Sequence, residues 1–367
     1  MKAKIYSSST QDLKKWHRYF EKIENKGIYH HPEYIKFLEK YYYRDSKAEL
    51  FLFEDGDSFV YYPYFKRPLN FLFLKAEKKF PGEYYDTVSS WYYGGPLINR
   101  SFAGQSAFIK NFFSNFEKYC RESNVVASFD RLDPIVGNHT VFGGKEGLAE
   151  NRPIVYTDLE KEEINLWRQL KGSVRRNIKR AFASGLRITV NQNADKIKCF
   201  WQIYTNEMIR KKASGRLKFP YIFFQELFEV LGKNIILLLA EFEKEIIGGF
   251  IIAHDNLNAH HFLSASIPEF WNQRVNDLLF YSAILQAKKI GCKKFDFQGG
   301  RKGVFEFKEK FSRDKTPFYT YSMVHQRKIY DYLVRAAIDR EKITENNKNY
   351  FPGYRTDMQK GCNGSKI

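Results

Sequence analysis

An α/β chain of two domains in a row, each a mixed and mostly antiparallel sheet flanked by helices, is what the sequence predicts. Three observations carry this. The order helices, antiparallel strands, helix, strand occurs twice along 367 residues. That length suits two domains or one large one. Apolar residues make up 43% of the chain and aromatic ones 17%, which fills real cores and rules out intrinsic disorder.

In the first half, polar helix spacing covers about 10–24. A second helix is expected at "HPEYIKFLEKYY", where Pro32 suits the first turn. Strands follow at "AELFLFED", "SFVYYPYFKR" and "FLFL", with Asp55-Gly56 as a hairpin signal between the first two. After the stop "SSWYYGGPLIN", residues 102–122 predict an amphipathic helix with Phe108, Phe112, Phe113 and Phe116 on one face, and "VVASFDRL" a strand.

The second half repeats the order. "YTDLEKEEINLWRQLKGSVRRNIKRAFASG" reads as helical with Gly185 as its stop, and "LRITVNQ" as a strand. Two helices follow, "ADKIKCFWQIYTNEMIRKK" and "YIFFQELFEVLG". Three antiparallel strands span "NIILLLAEFEKEIIGGFIIAHDNLNAHHFLSAS", with turns at Glu243-Lys244 and Asp255-Asn256. "NDLLFYSAILQAKKIG" is a helix and "CKKFDFQGG" a strand ending in a glycine turn. The domains expected are 1–155 and 156–325, with a helical tail at 326–367 packing back on one of them.

Lys and Arg number 60 against 42 Asp and Glu, a net charge of +18. The excess favours an anionic partner: nucleic acid, a nucleotide- or lipid-linked substrate, or the inner face of a membrane. A lysine-rich composition of the source is the bland alternative. No apolar run has the length of a membrane span and the N-terminus lacks the apolar middle of a signal peptide. The expected location is therefore cytoplasmic, with peripheral association at the inner membrane face open. Cys120, Cys199, Cys292 and Cys362 are scattered. Neither a zinc site nor a disulfide framework is expected.

Four segments of the second half carry a resemblance: "KGSVRRNIKRAFASGLRITV", "IYTNEMIRKK", "HHFLSAS" before the helix opening at "VNDLL", and "GCKKFDFQGG" leading to "FEFKEKF". In this order they resemble the Fem-type aminoacyltransferases and the related acetyltransferase-like proteins of polysaccharide gene clusters. The likeness covers about 155–325; over 1–155 it rests on "HPEYIKFLE", "YYPYFKR" and "WYYGGP". It implies two tandem GNAT-like domains, the first on the acceptor side and the second on the donor side. It also implies no tightly bound cofactor, with aminoacyl-tRNA or acyl-CoA as donor substrate. The GNAT fold binds coenzyme A pyrophosphate through a glycine-containing loop at a helix start. The equivalent stretch here, "IPEFWNQRVNDLL", has no glycine, which argues against a simple acetyl-CoA enzyme.

The candidate catalytic residues are Phe307, Lys308 and Asp296. Lys308 matches the family's Phe-Lys pair, whose lysine is implicated in handling the donor. A cation there stabilises the oxyanion formed when an amine attacks an ester. The alternative is a solvated lysine on a turn whose Val304, Phe307 and Phe311 face inward. Alternation places Asp296 opposite Phe295 and Phe297, either to take a proton from the amine or to hold Lys308 or a backbone turn in place. His260 and His261 sit in a strand, one of them facing inward.

The candidate substrate-binding residues are mostly basic. Lys171, Arg175 and Lys179 share one helix face, Arg176 and Arg180 another, with no acid in the run. An anion relieves their mutual repulsion: the phosphate of a tRNA or of a nucleotide-sugar, or else water alone on a solvated face. Arg210, Lys211, Lys212 and Arg216 form a second cluster, and Lys36 is a possible contact to an acceptor phosphate. Tyr204 and Trp271 suit a pocket wall or the core. No metal cluster, Ser–His–Asp arrangement or Walker loop stands out.

The function expected is an acyl- or aminoacyltransferase acting on an amine of an anionic cell-envelope precursor, a peptidoglycan peptide or an amino sugar. The acceptor is expected at or near the first domain. The rivals are an acyl-CoA-dependent N-acyltransferase of surface polysaccharide synthesis and a non-catalytic binder of anionic glycolipid or nucleic acid.

Overall fold

The computed structural model describes residues 2–69, 82–100, 106–191, 196–213, 215–255, 257–338 and 350–355. The strand expected at "FLFL", the turn residue Asn256 and the far end of the tail lie outside these residues. The chain divides into two compact units. One runs to Asn151 and resumes at Phe318; the other is Arg152–Pro317.

The sheet of the first unit comprises β1 (Lys2–Ser7), β2 (Lys47–Asp55), β3 (Ser58–Pro68), β4 (Tyr85–Val88), β5 (Leu97–Ile98), β6 (Val125–Arg131), β7 (Leu148–Glu150) and β15 (Tyr319–Val324). Its order is β1-β2-β3-β4-β6-β15-β7, with β5 also on β3. The β4–β6 pair is parallel. Helices α1 (Thr10–Phe20) and α2 (Pro32–Tyr41) precede β2, and α3 (Ala107–Glu122) precedes β6. Alternating apolar residues of β2 and β3 bury Phe51, Phe53, Tyr62 and Tyr64 against the Phe108, Phe112, Phe113 and Phe116 stripe of α3.

The boundary expected at 325 is corrected by β15. That strand pairs with β6 and β7, because its Tyr321 completes the aromatic core of the first unit. The tail helix α10 (Arg327–Ile338) packs on the same unit, with Ile329, Leu333 and Ala337 against Leu69, Tyr84 and Val126.

The second unit contains β8 (Ile154–Asp158), α4 (Glu163–Gln169), α5 (Gly172–Ala183), β9 (Arg187–Asn191), α6 (Ile197–Arg210), α7 (Tyr221–Leu231), β10 (Ile235–Phe242), β11 (Glu245–His254), β12 (Asn258–Ser266), α8 (Val275–Lys289), β13 (Lys294–Gln298), α9 (Lys302–Lys308) and β14 (Lys315–Thr316). Its sheet runs β14-β8-β13-β12-β11-β10-β9, and its one parallel pair among the described strands is β12–β13. The predicted hairpin turn is formed by Glu243 and Lys244, both at positive φ (49° and 69°), as a two-residue turn between twisted strands requires.

One expected helix is three elements. "YTD" belongs to β8, and Leu170 and Lys171 are extended (ψ 140° and 145°), separating α4 from α5. The break has a tertiary cause: Leu170 is buried, and the Lys171 amide donates to the Lys310 carbonyl at 2.8 Å instead of continuing a helix. Gly185 (φ 88°) closes α5 as predicted.

Adjacent glycines on β11 show which helices lie on which face. A Cβ on Gly248 would come within 2.8 Å of Val275 of α8, and one on Gly249 within 2.5 Å of Phe200 of α6. Successive strand residues point to opposite faces. Helix α8, with α5 beside it in the same core, therefore covers one face and α6 the other.

Candidate active site

Strands β12 and β13 pair only from Asn258–Lys294 to His260–Asp296. Beyond that point β12 continues against β11 to Ser266, while β13 goes on against β8. A bulge sharpens the parting: Leu263 pairs with Ile251 and His261 with Ile252, so Phe262 is the extra residue. Bulges bend a strand and re-aim its side chains.

Lys308 ends α9 beside this parting. It does not snorkel. It is 4% exposed, and its Nζ donates to the Gly299 carbonyl at 2.6 Å. Burial pushes its amine down to about 8, against the opposing pull of the Asp296 carboxylate. Phe307 packs its ring against Phe280 and Phe311, each 5.2 Å between centroids. The inward set expected on α9 is corrected at Val304, which is 48% exposed: the buried position on this short helix goes to Lys308.

Asp296 is fully buried and faces away from Phe295 and Phe297, as alternation predicts. Its Oδ2 meets His260 Nδ1 at 3.1 Å, and its Oδ1 accepts from the Gln298 amide at 2.5 Å. Both carboxylate oxygens are thus engaged, which favours the holding role over proton transfer. His261 lies between Phe250 and Phe280, with Nε2 and Ser264 Oγ 2.9 Å apart. Burial first, and the Lys308 charge second, hold its pKa well below the usual histidine value.

The first basic run comes into the same neighbourhood. The Lys171–Lys310 backbone bond ties the start of α5 to the residues just after α9. A Cβ at Gly172 would lie 3.6 Å from an Arg176 guanidinium nitrogen and 3.9 Å from one of Arg175. Both arginines therefore fold over the first turn of α5, where the helix dipole is positive. Arg175 also donates to the Arg168 carbonyl at 3.2 Å, and Lys171 lies 3.8 Å from Glu309. Asn177 of α5 donates to Asp277 at 3.2 Å. Asp277 stands in the first turn of α8, preceded by a 3-10 turn (Pro268–Gln273) and Arg274 at φ 63°. That turn and that carboxylate lie in the glycine-free stretch that the resemblance makes equivalent to the GNAT anion loop. Burial raises the Asp277 pKa, while Asn177, Arg274 and Lys310 oppose it.

The second basic cluster lies with α6, on the other face of the sheet. Lys211 and Arg210 both approach Glu207, at 2.5 and 3.8 Å, and Arg210 lies over the Trp271 ring at 5.1 Å. Glu207, Arg210 and Ser266 help line a groove of about 910 Å³. Lys212 and Arg216 are exposed on the following turns. Tyr204 takes the core side of its two expected places. It is 2% exposed and its hydroxyl donates to the Leu217 carbonyl at 2.7 Å, so it belongs to the core. Trp271, 44% exposed, donates from Nε1 to Ser266 Oγ at 3.0 Å. Lys36 lies half-buried on α2 of the first unit.

Sequence reading missed the His260–Asp296 pair and the Gly299 anchor. Each residue was visible; the register joining residues 36 apart was not. Among the described residues no group of side chains could hold a metal, and no helix is long and apolar enough to cross a membrane.

The GNAT acetyltransferase domain family matches residues 168–309, the span that holds Lys171, Asp296 and Lys308. No curated protein matches the sequence. Among solved structures, FemX is similar over 90% of this chain and 99% of its own, at 10% identity and a TM-score of 0.65. The C-terminal domain of a putative lysylphosphatidylglycerol synthetase from Agrobacterium fabrum is similar over 90% and 95%, at 14% identity and a TM-score of 0.52. A conserved protein of unknown function from Bacteroides thetaiotaomicron is similar over 79% and 89%, at 11% identity and a TM-score of 0.53. Residues 168–309 of the second unit thus match a GNAT acetyltransferase domain, and the chain shares its fold with FemX over 90% of its length.

Proposed function

We propose that this acyltransferase joins an activated amino acid or acyl group to an amine of a cell-envelope precursor, with Lys308 at the donor carbonyl. The observation that carries the reading is a buried lysine, anchored by a backbone carbonyl, where two strands part. The attacking amine forms a C–N bond, and the carbonyl becomes an oxyanion facing the Lys308 ammonium. Collapse of that intermediate breaks the donor's ester bond, and the leaving hydroxyl takes up the proton the amine gives up. In a desolvated site one fixed cation is worth far more than in water. Lys171, Arg175 and Arg176 would hold the donor's phosphates. The Fem-type resemblance favours aminoacyl-tRNA as that donor.

The acetyltransferase match favours a second reading, with acyl-CoA as donor and an amino sugar as acceptor. Asp277 and the glycine-free turn before α8 weigh against it, because a carboxylate in the first helical turn repels a pyrophosphate. Binding titrations with charged tRNA and with acyl-CoA, at low and high salt, separate the two. Preference for aminoacylated over uncharged tRNA is expected. Charge reversal at Arg175 and Arg176 is expected to weaken that binding at least tenfold at low salt. Tight binding of acyl-CoA alone, weakened by Lys308→Ala, would overturn the tRNA-dependent reading.

A further inference from the structure

We propose that Asp296 is a positioning residue for Lys308: oriented by His260, its carboxylate fixes the turn whose carbonyl anchors the lysine amine. This rests on the reading of Lys308 as the group at the donor carbonyl.

The contacts form one continuous chain. His260 sits on β12 directly across from Asp296 on β13, the last pair before the strands part. Both are buried, at 1% and 0% exposure. One carboxylate oxygen meets His260 and the other accepts the Gln298 amide. Gln298 stands at φ 62°, a left-handed conformation that a glutamine adopts only where its surroundings compel it. The next residue, Gly299, turns its carbonyl to Lys308 Nζ.

A buried acid and histidine are costly to desolvate, and an apolar pair of the same volume often stabilises a core as well. A pair serving only the core has no need to hold a strained residue. Here the geometry it enforces leads to the lysine amine. The same carboxylate is also the opposite charge acting on Lys308, while the lysine charge helps hold His261 of β12 neutral. Among the described residues Asp296, with His260 behind it, is the charged group that acts on this amine, and His261 is the neighbouring titratable group on which the amine acts.

The test follows the Lys308 side-chain signal by NMR across pH, assigned by its loss in Lys308→Arg. Asp296→Asn keeps an oxygen for the Gln298 amide and removes the charge. The Lys308 midpoint is expected to fall by about one unit. His260→Gln leaves the carboxylate in place but loosens it, and is expected to lower the midpoint by less. It carries the test where Asp296→Asn does not fold. Native midpoints in the folded variants would overturn the proposal, since a purely structural role moves the melting temperature and not the lysine. If the midpoint follows Asp296 while Lys308→Met still transfers the acyl group, the positioning stands and the donor-site reading falls. If Lys308→Met is inactive and the midpoint ignores Asp296, the reading stands and the positioning falls.

Discussion

The two units share a strand order and differ in what they keep at their parallel pair. In both, counting from β1 and from β9, the fourth and fifth strands of the sheet run parallel, β4 with β6 and β12 with β13. In the first unit the polar groups there are closed on one another. Asp86 is held by Arg67 at 2.8 Å and by Arg355 at 2.5 and 3.0 Å. Thr87 donates to Ser128 at 2.7 Å, and Ser128 lies 2.8 Å from His325. These contacts tie the segment after Phe318 to the sheet. In the second unit the corresponding network leads from His260 through Asp296 to a lysine amine. The parallel pair thus serves as a fastening in the first unit, and in the second it leads to the lysine of the proposed site. On the proposed function, the polar groups placed at the parallel pair, and not the fold, separate a structural unit from a reactive one.

The largest expected effect breaks the comparison at Lys308. Lys308→Met is expected to lower the transfer rate by about 100- to 1000-fold, as loss of an oxyanion partner does. Asp130→Asn, a change of similar burial in the first unit, is expected to leave the rate unchanged; steady-state kinetics on both variants decides.

Stability against pH sharpens the comparison, because the two units carry buried groups displaced in opposite senses. Burial raises the Asp130 carboxyl to about 7, partly offset by the hydrogen bond from Tyr62. Between about pH 4 and 7 the folded state then holds a proton that the unfolded chain releases, so stability falls as pH rises, on the order of 4 kcal/mol across the window. Lys308, displaced down to about 8, gives the reverse slope. From about pH 8 to 10.5 the unfolded chain holds the extra proton, and stability rises by about 3 kcal/mol. Urea unfolding across pH should show the first slope vanish in Asp130→Asn and the second in Lys308→Met.

The smallest expected effect concerns packing alone. Gly249→Ala sets a methyl 2.5 Å from the Phe200 ring and is expected to cost about 1–3 kcal/mol in thermal or urea unfolding. A native unfolding midpoint would mean that α6 shifts freely over the sheet.

Periodicity and turn chemistry made much of this architecture legible. The phenylalanine stripe of α3, the hairpin at Glu243-Lys244 and the stop at Gly185 follow from local rules: a 3.6-residue period, positive φ at a two-residue turn, and a residue without Cβ at a helix end. Lys308 drew notice beside Phe307 and Phe311, but its donor-handling role was legible only through the resemblance to the Fem-type Phe-Lys pair.

What the sequence by itself determined is local: which segments are helices and strands, that their order repeats, and that the chain is strongly basic. The tertiary structure decided where chain segments meet. It took β15 into the first sheet, split a continuous helical pattern at Leu170–Lys171, buried Tyr204, and joined His260 to Asp296 across two strands. These outcomes depend on strand register and on hydrogen bonds between residues far apart in sequence. Such contacts are set by which apolar faces close over one another, and no local spacing encodes them.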